Sequence, residues 1–195
     1  CKGPLAAMIE AARMLVAERQ AWSGTLMVVF TGDEEVASAG ARHYAASRPE
    51  IDAVVVGEPT GNACFSAHKG SFRPVVRITG KAAHSGSPHL GDNAIFRAGQ
   101  LMPLLAAFHD DVLAQRSHPL VGNPSLTVTR IKGGHADNVI PAECELLLDR
   151  RLIPGETDAS AEAEIRALLA DAERTHGIRA EIVGYHSTTG GATDT

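Results

Sequence analysis

Residues 71–80 read SFRPVVRITG, and the alternation of apolar and polar positions predicts a strand with one buried face and one wet face. The segments downstream decide which fold that strand belongs to. Residues 92–110, DNAIFRAGQLMPLLAAFHD, repeat their apolar positions at helical spacing behind a capping residue, Asp92, with a kink expected near Pro103. PSLTVTRIKGG (124–134) and AECELLLDRRL (142–152) are two further alternating strands. DASAEAEIRALLADAERTHG (158–177) is a helix closed by Gly177, and IRAEIVGY (178–185) is a last strand. The order β-α-β-β-α-β is that of a ferredoxin-like unit, an antiparallel sheet with helices on one face.

Upstream the texture differs. GPLAAMIEAARMLVAERQ (3–20) has helical period, with Pro4 suited to a first turn. GTLMVVF (24–30) reads as a buried strand, ASAGARHYAAS (37–47) as a helix, and IDAVVVGEPT (51–60) as a second buried strand that must stop at Pro59. This α, β, α, β order predicts a parallel sheet, in which ligands collect beyond the carboxyl ends of the strands. The expected architecture is therefore part of an α/β domain over 1–67, a ferredoxin-like domain over 68–184, and a return toward the first domain over 185–195.

The composition, 44% hydrophobic and 21% charged with a formal net charge of −5, is that of a folded globular chain. Mild acidity argues against a nucleic-acid surface, and no apolar run approaches the roughly 18 residues a membrane span needs. A small-molecule or protein partner is expected instead. Cys1, Cys64 and Cys144 are odd in number and widely spaced, which fits no disulfide framework or zinc knuckle and points to a reducing cytoplasm.

The chemistry gathers in FTGDEEVASAG (30–40), where three acids follow an apolar run. Neighbouring residues leaving a strand point in opposite directions, so Glu34 and Glu35 can divide their work, one holding a metal and the other facing a water. Carboxylates are ligands that zinc accepts, and a second carboxylate beside a metal-activated water is a natural general base. Glu58, in GEPT, falls at the end of the neighbouring strand. Alternatively, acids just before a helix serve only its dipole and cap, and Glu58 is only a turn residue. Among nine histidines, His84 is set apart by small neighbours on both sides, AA and SG, which leave room for a ligand. His68 falls at the domain junction and serves either the site or a hinge; His43, His109, His118 and His176 read as solvated. Arg150 and Arg151 are strand neighbours, so only one of them faces a pocket.

Taken together, TGDEE (31–35), VVVGEPT (54–60), AHKGS (67–71), GKAAHSGSPHLGDNAI (80–95), DNVIPAECELLLDRRLIPGE (137–156) and GGATDT (190–195) resemble the dinuclear zinc amidohydrolases. That family includes acetylornithine deacetylase, succinyl-diaminopimelate desuccinylase, aminoacylase and glutamate carboxypeptidase. The likeness runs in the family's order over nearly the whole chain. It implies a catalytic α/β domain interrupted by a ferredoxin-like lid that also forms a homodimer. It also implies hydrolysis of the amide bond of an N-acyl amino acid or dipeptide, with two zinc ions, or cobalt or manganese, in the complete enzyme.

By the resemblance, Glu34 is the general base, Glu35 and Glu58 each bind one metal, and His84 reaches the partner subunit's site to stabilise the oxyanion. Asn138 and Arg151 hold the substrate's carbonyl and carboxylate, the family spacing selecting Arg151 over Arg150, and Gly190 and Gly191 form a turn against which substrate lies. The family's His-x-Asp ligands are expected upstream of Cys1 and a further histidine beyond Thr195, so this chain alone is expected to be inactive. Two other classes compete. One is a non-catalytic dimerisation or ligand-binding module, against which the retained Glu34 argues. The other is magnesium-dependent phosphoryl transfer, for which no phosphate-cradling glycine loop is visible.

Overall fold

The computed structural model describes residues 2–34, 38–47, 50–186 and 191–194. The chain divides into two compact units, Cys1–Phe65 and Ser66–Thr195.

The first unit contains α1 (Lys2–Ala17), a 3-10 turn at Arg19–Ala21, and α2 (Ala39–Ala46). The buried strands expected at 24–30 and 51–60 are not found: both segments lack ladder pairing, and Val54, Val55 and Val56 are 69–81% exposed. A parallel strand needs neighbours on its edges and cover on both faces. Neither segment pairs with the other or with any described strand, so apolar composition alone does not make them sheet. Trp22 anchors the turn after α1, its indole N–H donating to the Leu15 carbonyl at 2.8 Å beneath the Arg19 guanidinium.

In the second unit, strand β1 (Ala67–His68) is followed by β2 (Gly70–Phe72) and β3 (Pro74–Thr79), helix α3 (Ala94–Ala107), β4 (Ser125–Gly133), β5 (Glu143–Leu152), α4 (Asp158–His176), β6 (Ala180–Tyr185) and β7 (Thr193–Asp194). The run at 71–80 thus divides at Arg73, because Pro74 has no N–H to give the ladder. Strand β5 is the spine of an antiparallel sheet: β2 and β3 pair in succession with it, β4 pairs with it also, and β6 pairs with β3. A separate small ladder joins β1 to β7, with Ala67 opposite Asp194 and His68 opposite Thr193.

Period-2 alternation decides which side is core. Along β5, Cys144, Leu146, Leu148, Arg150 and Leu152 are buried, whereas Glu145, Leu147, Asp149 and Arg151 are partly exposed. Its apolar members Cys144, Leu146, Leu148 and Leu152, with Val76 and Ile78 of β3, pack with Ala94, Ala98, Leu101 and Leu105 of α3 and Ala161, Ile165, Leu169 and Ala172 of α4. Each helical set repeats at the three- and four-residue steps of one helix face. Full burial of each large aliphatic side chain contributes about 1.5–3 kcal/mol, so this single core dominates the unit's stability.

The helix boundaries follow from local chemistry. Thr157 and Ser160 form a reciprocal capping box at the start of α4, and Gly177 ends it in the left-handed region at φ 66°. The cap of α3 is Asn93, whose side chain accepts from the N–H groups of Ile95 and Phe96, and not Asp92 as expected. Asp92 instead pairs with Arg97 at 2.8 Å. Pro103 lies inside α3, which passes into a π-helical turn over Phe108–Leu113.

Candidate functional site

His84 and Asn138 lie on two loops that the backbone joins. Ile140 N–H donates to the Ala83 carbonyl at 2.8 Å, His84 and Val139 form a bridge, and Ser85 N–H donates to the Asn138 carbonyl at 2.9 Å. The His84 loop is closed at its base by Lys81 and Asp92, which exchange both backbone hydrogen bonds at 2.8 and 2.9 Å. Gly80 makes that closure possible, since a Cβ there would lie 2.2 Å from the Asp92 carbonyl oxygen. Within the loop, Nδ1 of His84 accepts from the Gly86 N–H at 3.0 Å, and the His84 carbonyl accepts from Ser87 N–H at 2.9 Å. Both His84 and Asn138 are exposed. The result is an open surface offering an imidazole and a carboxamide, two groups able to donate to a carbonyl oxygen.

The two adjacent arginines part company. Arg150 points to the helical face, its side chain 1% exposed, and is held by Glu156 at 2.7 Å and Glu164 at 3.5 Å. Arg116 completes this network at 2.9 Å from Glu156 and 2.6 Å from Glu164. Burial pushes the Glu156 carboxyl up, but hydrogen bonds from Arg150, the Ile153 N–H and Arg116 outweigh it and hold the group below the ordinary glutamate value. Arg151 faces the helix-free side, its Nη2 donating to Asp149 at 3.1 Å and its Nε lying 2.9 Å from the same carboxylate as an ion pair. Asp149 also accepts from Arg73 Nε at 3.1 Å. One carboxylate therefore orients two guanidiniums on the open face of the sheet.

The AHKG and GGATDT segments meet in the β1–β7 ladder, which puts His68 beside the stretch that begins at Gly191. His118, read as solvated, instead anchors that stretch: its Nε2 lies 3.1 Å from Asp194 while Nδ1 accepts the Leu120 N–H at 3.3 Å. Gly191 itself is exposed, and Gly190 lies outside the described residues.

In the first unit Glu34 and Glu58 are exposed, and Glu35 lies outside the described residues. Helix α2 begins after Ser38 and has no acidic residue in its first turn, so Glu34 does not cap it. Among the described residues no group of three His, Cys, Asp or Glu side chains is placed to hold a metal ion. Cys144 is not a candidate nucleophile, because burial, with the Glu145 charge second, pushes its thiol up. Among the described residues no helix is long and apolar enough to cross a membrane.

Sequence reading missed Asp149, Gly86 and His118. Asp149 had a signal, the alternation that puts it on the same face as Arg151. The roles of Gly86 and His118 depend on turn geometry and on a contact far along the chain.

The domain described as a peptidase dimerisation domain matches residues 66–176, and peptidase family M28 matches residues 3–61. Acetylornithine deacetylase of Vibrio vulnificus (strain CMCP6) is 36% identical over 191 residues, 95% of this chain and 49% of the relative. Acetylornithine deacetylase of Proteus mirabilis (strain HI4320) is 35% identical over 161 residues, 80% of this chain and 41% of the relative. Among solved structures, a tripeptidase from Staphylococcus aureus superposes with TM-score 0.68 at 20% identity, over 98% of this chain and 48% of that one. Aminopeptidase PepT from Bacillus cereus gives TM-score 0.66 at 21% identity, over 100% and 49%. At such identities the structural likeness speaks for the fold alone. The chain spans about half the length of the curated relatives it matches.

Proposed function

The chain belongs to the peptidase dimerisation-domain family, and from that premise we propose that it is part of a metal-dependent hydrolase cleaving the amide bond of an N-acyl amino acid or small peptide. In this reading residues 1–67 belong to the catalytic domain, 68–184 form the lid, through which two copies pair, and 185–195 return to the catalytic domain. The observation that carries the reading is the joining of the His84 and Asn138 loops, which presents two carbonyl-directed donors on one exposed surface.

The residues take distinct roles. Glu34 accepts the proton of the attacking water and passes it to the leaving amine. His84 donates to the oxygen that becomes negative at the tetrahedral stage, a contribution of about 3 kcal/mol for one such donor. Asn138 holds the same carbonyl before attack. Arg151, kept in plane by Asp149, meets the substrate carboxylate with its fork of N–H groups. Gly191 lets the substrate lie against backbone.

The metal proposed is zinc, two ions per site, with cobalt or manganese as substitutes. Glu35 and Glu58 are the ligands this chain offers, and the described residues do not make a metal site by themselves. When bound, the ions supply Lewis acidity to water and carbonyl. Two carboxylates by themselves fall short of the three protein ligands that an open catalytic zinc site commonly uses. A cytoplasmic amino-acid-processing enzyme is the proposed setting.

The test is a panel of N-acetyl, N-succinyl and N-glutamyl amino acids offered to the full-length, zinc-loaded protein. Hydrolysis of one class supports the reading and names the acyl group. No hydrolysis of any, with metal bound, contradicts it.

A further inference from the structure

Building on the proposed role of His84, we infer that Gly86 is a positioning residue that fixes which nitrogen of the His84 ring carries the proton. In a neutral imidazole one nitrogen donates and the other accepts. A backbone N–H can only donate, so the 3.0 Å contact from Gly86 N–H to Nδ1 forms only when Nδ1 is bare. The proton then resides on Nε2, at the far side of an exposed ring, where among the described residues no protein group takes it. The turn thus delivers a donor to whatever approaches His84, without an acidic residue behind the ring to orient it.

The same contact explains the choice of glycine. A Cβ at residue 86 would lie 3.1 Å from Nδ1 and 3.5 Å from Cε1 of His84, so any side chain presses on the ring it must orient. The ring's backbone is held independently by the bridge to Val139 and by the Ser87 N–H. Gly86 therefore acts on the ring and its tautomer and not on whether the loop forms.

Nitrogen-15 correlation spectra of the 195-residue chain, recorded well above the histidine titration range, read the tautomer of each histidine directly. His84 is expected as the Nε2–H form alone, whereas exposed rings without a backbone donor, such as that of His135, show a mixture. The Gly86 amide resonance is also expected to move as His84 is titrated, because protonation of Nδ1 removes its acceptor. In Gly86→Ala the tautomer bias relaxes toward that of the free rings. In the full-length enzyme the same substitution lowers kcat by about 10- to 100-fold, with KM little changed. A mixed or Nδ1–H tautomer in the wild-type chain overturns the inference, as does a Gly86→Ala chain that keeps both bias and turnover. The spectra do not depend on turnover, so failure here is distinguishable from failure of the hydrolase reading, which the substrate panel decides.

Discussion

The backbone N–H of Ser85 donates to the carbonyl oxygen of Asn138 at 2.9 Å. This single bond, flanked by the Ala83–Ile140 bond, makes one surface of two loops that are remote in sequence. If His84 and Asn138 act on one substrate carbonyl, their contributions are coupled. We expect His84→Ala to lower kcat of the full-length enzyme about 100- to 1,000-fold. Asn138→Ala should cost less, and the double variant should lose less than the product of the two. A double-mutant cycle measures the coupling, expected at about 0.5–3 kcal/mol; strict additivity would place the two residues in separate roles.

Arg150 tests the architecture of the second unit without reference to catalysis. Its side chain is 1% exposed and its charge is met by Glu156 and Glu164. Arg150→Ala removes one of the donors that hold Glu156, leaving Arg116 at 2.9 Å and the Ile153 N–H at 3.1 Å, and should destabilise the second unit by about 1–3 kcal/mol. Urea denaturation of the 195-residue chain, followed by a probe in that unit, reads this as a lower midpoint. An unchanged midpoint would mean that the network is ornamental.

The same network sets an acid limit. Because the folded Glu156 carboxyl titrates below its unfolded value, the native state binds fewer protons in the interval between them. The stabilisation is fully present above the unfolded value of about 4.3 and is lost as pH falls through the lowered folded value. Melting temperature should therefore fall on acidification below that point, and Glu156→Gln, less stable at neutral pH, should show a flatter acid limb.

Asp149 is shared by Arg73 and Arg151, at 3.1 Å from the first and 2.9 Å from the second. Arg151→Ala in the full-length enzyme should raise KM for carboxylate-bearing substrates about 10- to 100-fold, the worth of a charge-assisted pair, with a smaller change in kcat. Asp149→Asn should show the same pattern in weaker form, because Arg151 is still present but no longer held. Substrates whose carboxylate is replaced by an amide should be nearly indifferent to both.

The second unit was legible because its signals are local and mutually consistent. Alternation along 142–152 marked β5 as a strand, and Gly177 marked the end of α4, where the structure has it in the left-handed region. The cap of α3 was misread by one position, since Asp92 and Asn93 are both good caps and only the Arg97 contact separates them. The first unit was read less well. Val54, Val55 and Val56 have strand composition, but pairing depends on a partner strand and not on composition. The candidate site residues came from the order of short motifs. What no motif could give was the geometry between them, such as the His68–Thr193 pairing or the Gly86 contact with His84.

The central claim is that Glu34 moves protons for an amide hydrolysis and does not hold the metal. Glu34→Gln in the full-length, zinc-loaded enzyme keeps a carbonyl-bearing side chain of the same length while removing the base. We predict zinc content equal to wild type and turnover lowered at least about 100-fold. Turnover near wild type would contradict the account, and lost zinc would show that Glu34 is a ligand and not the base.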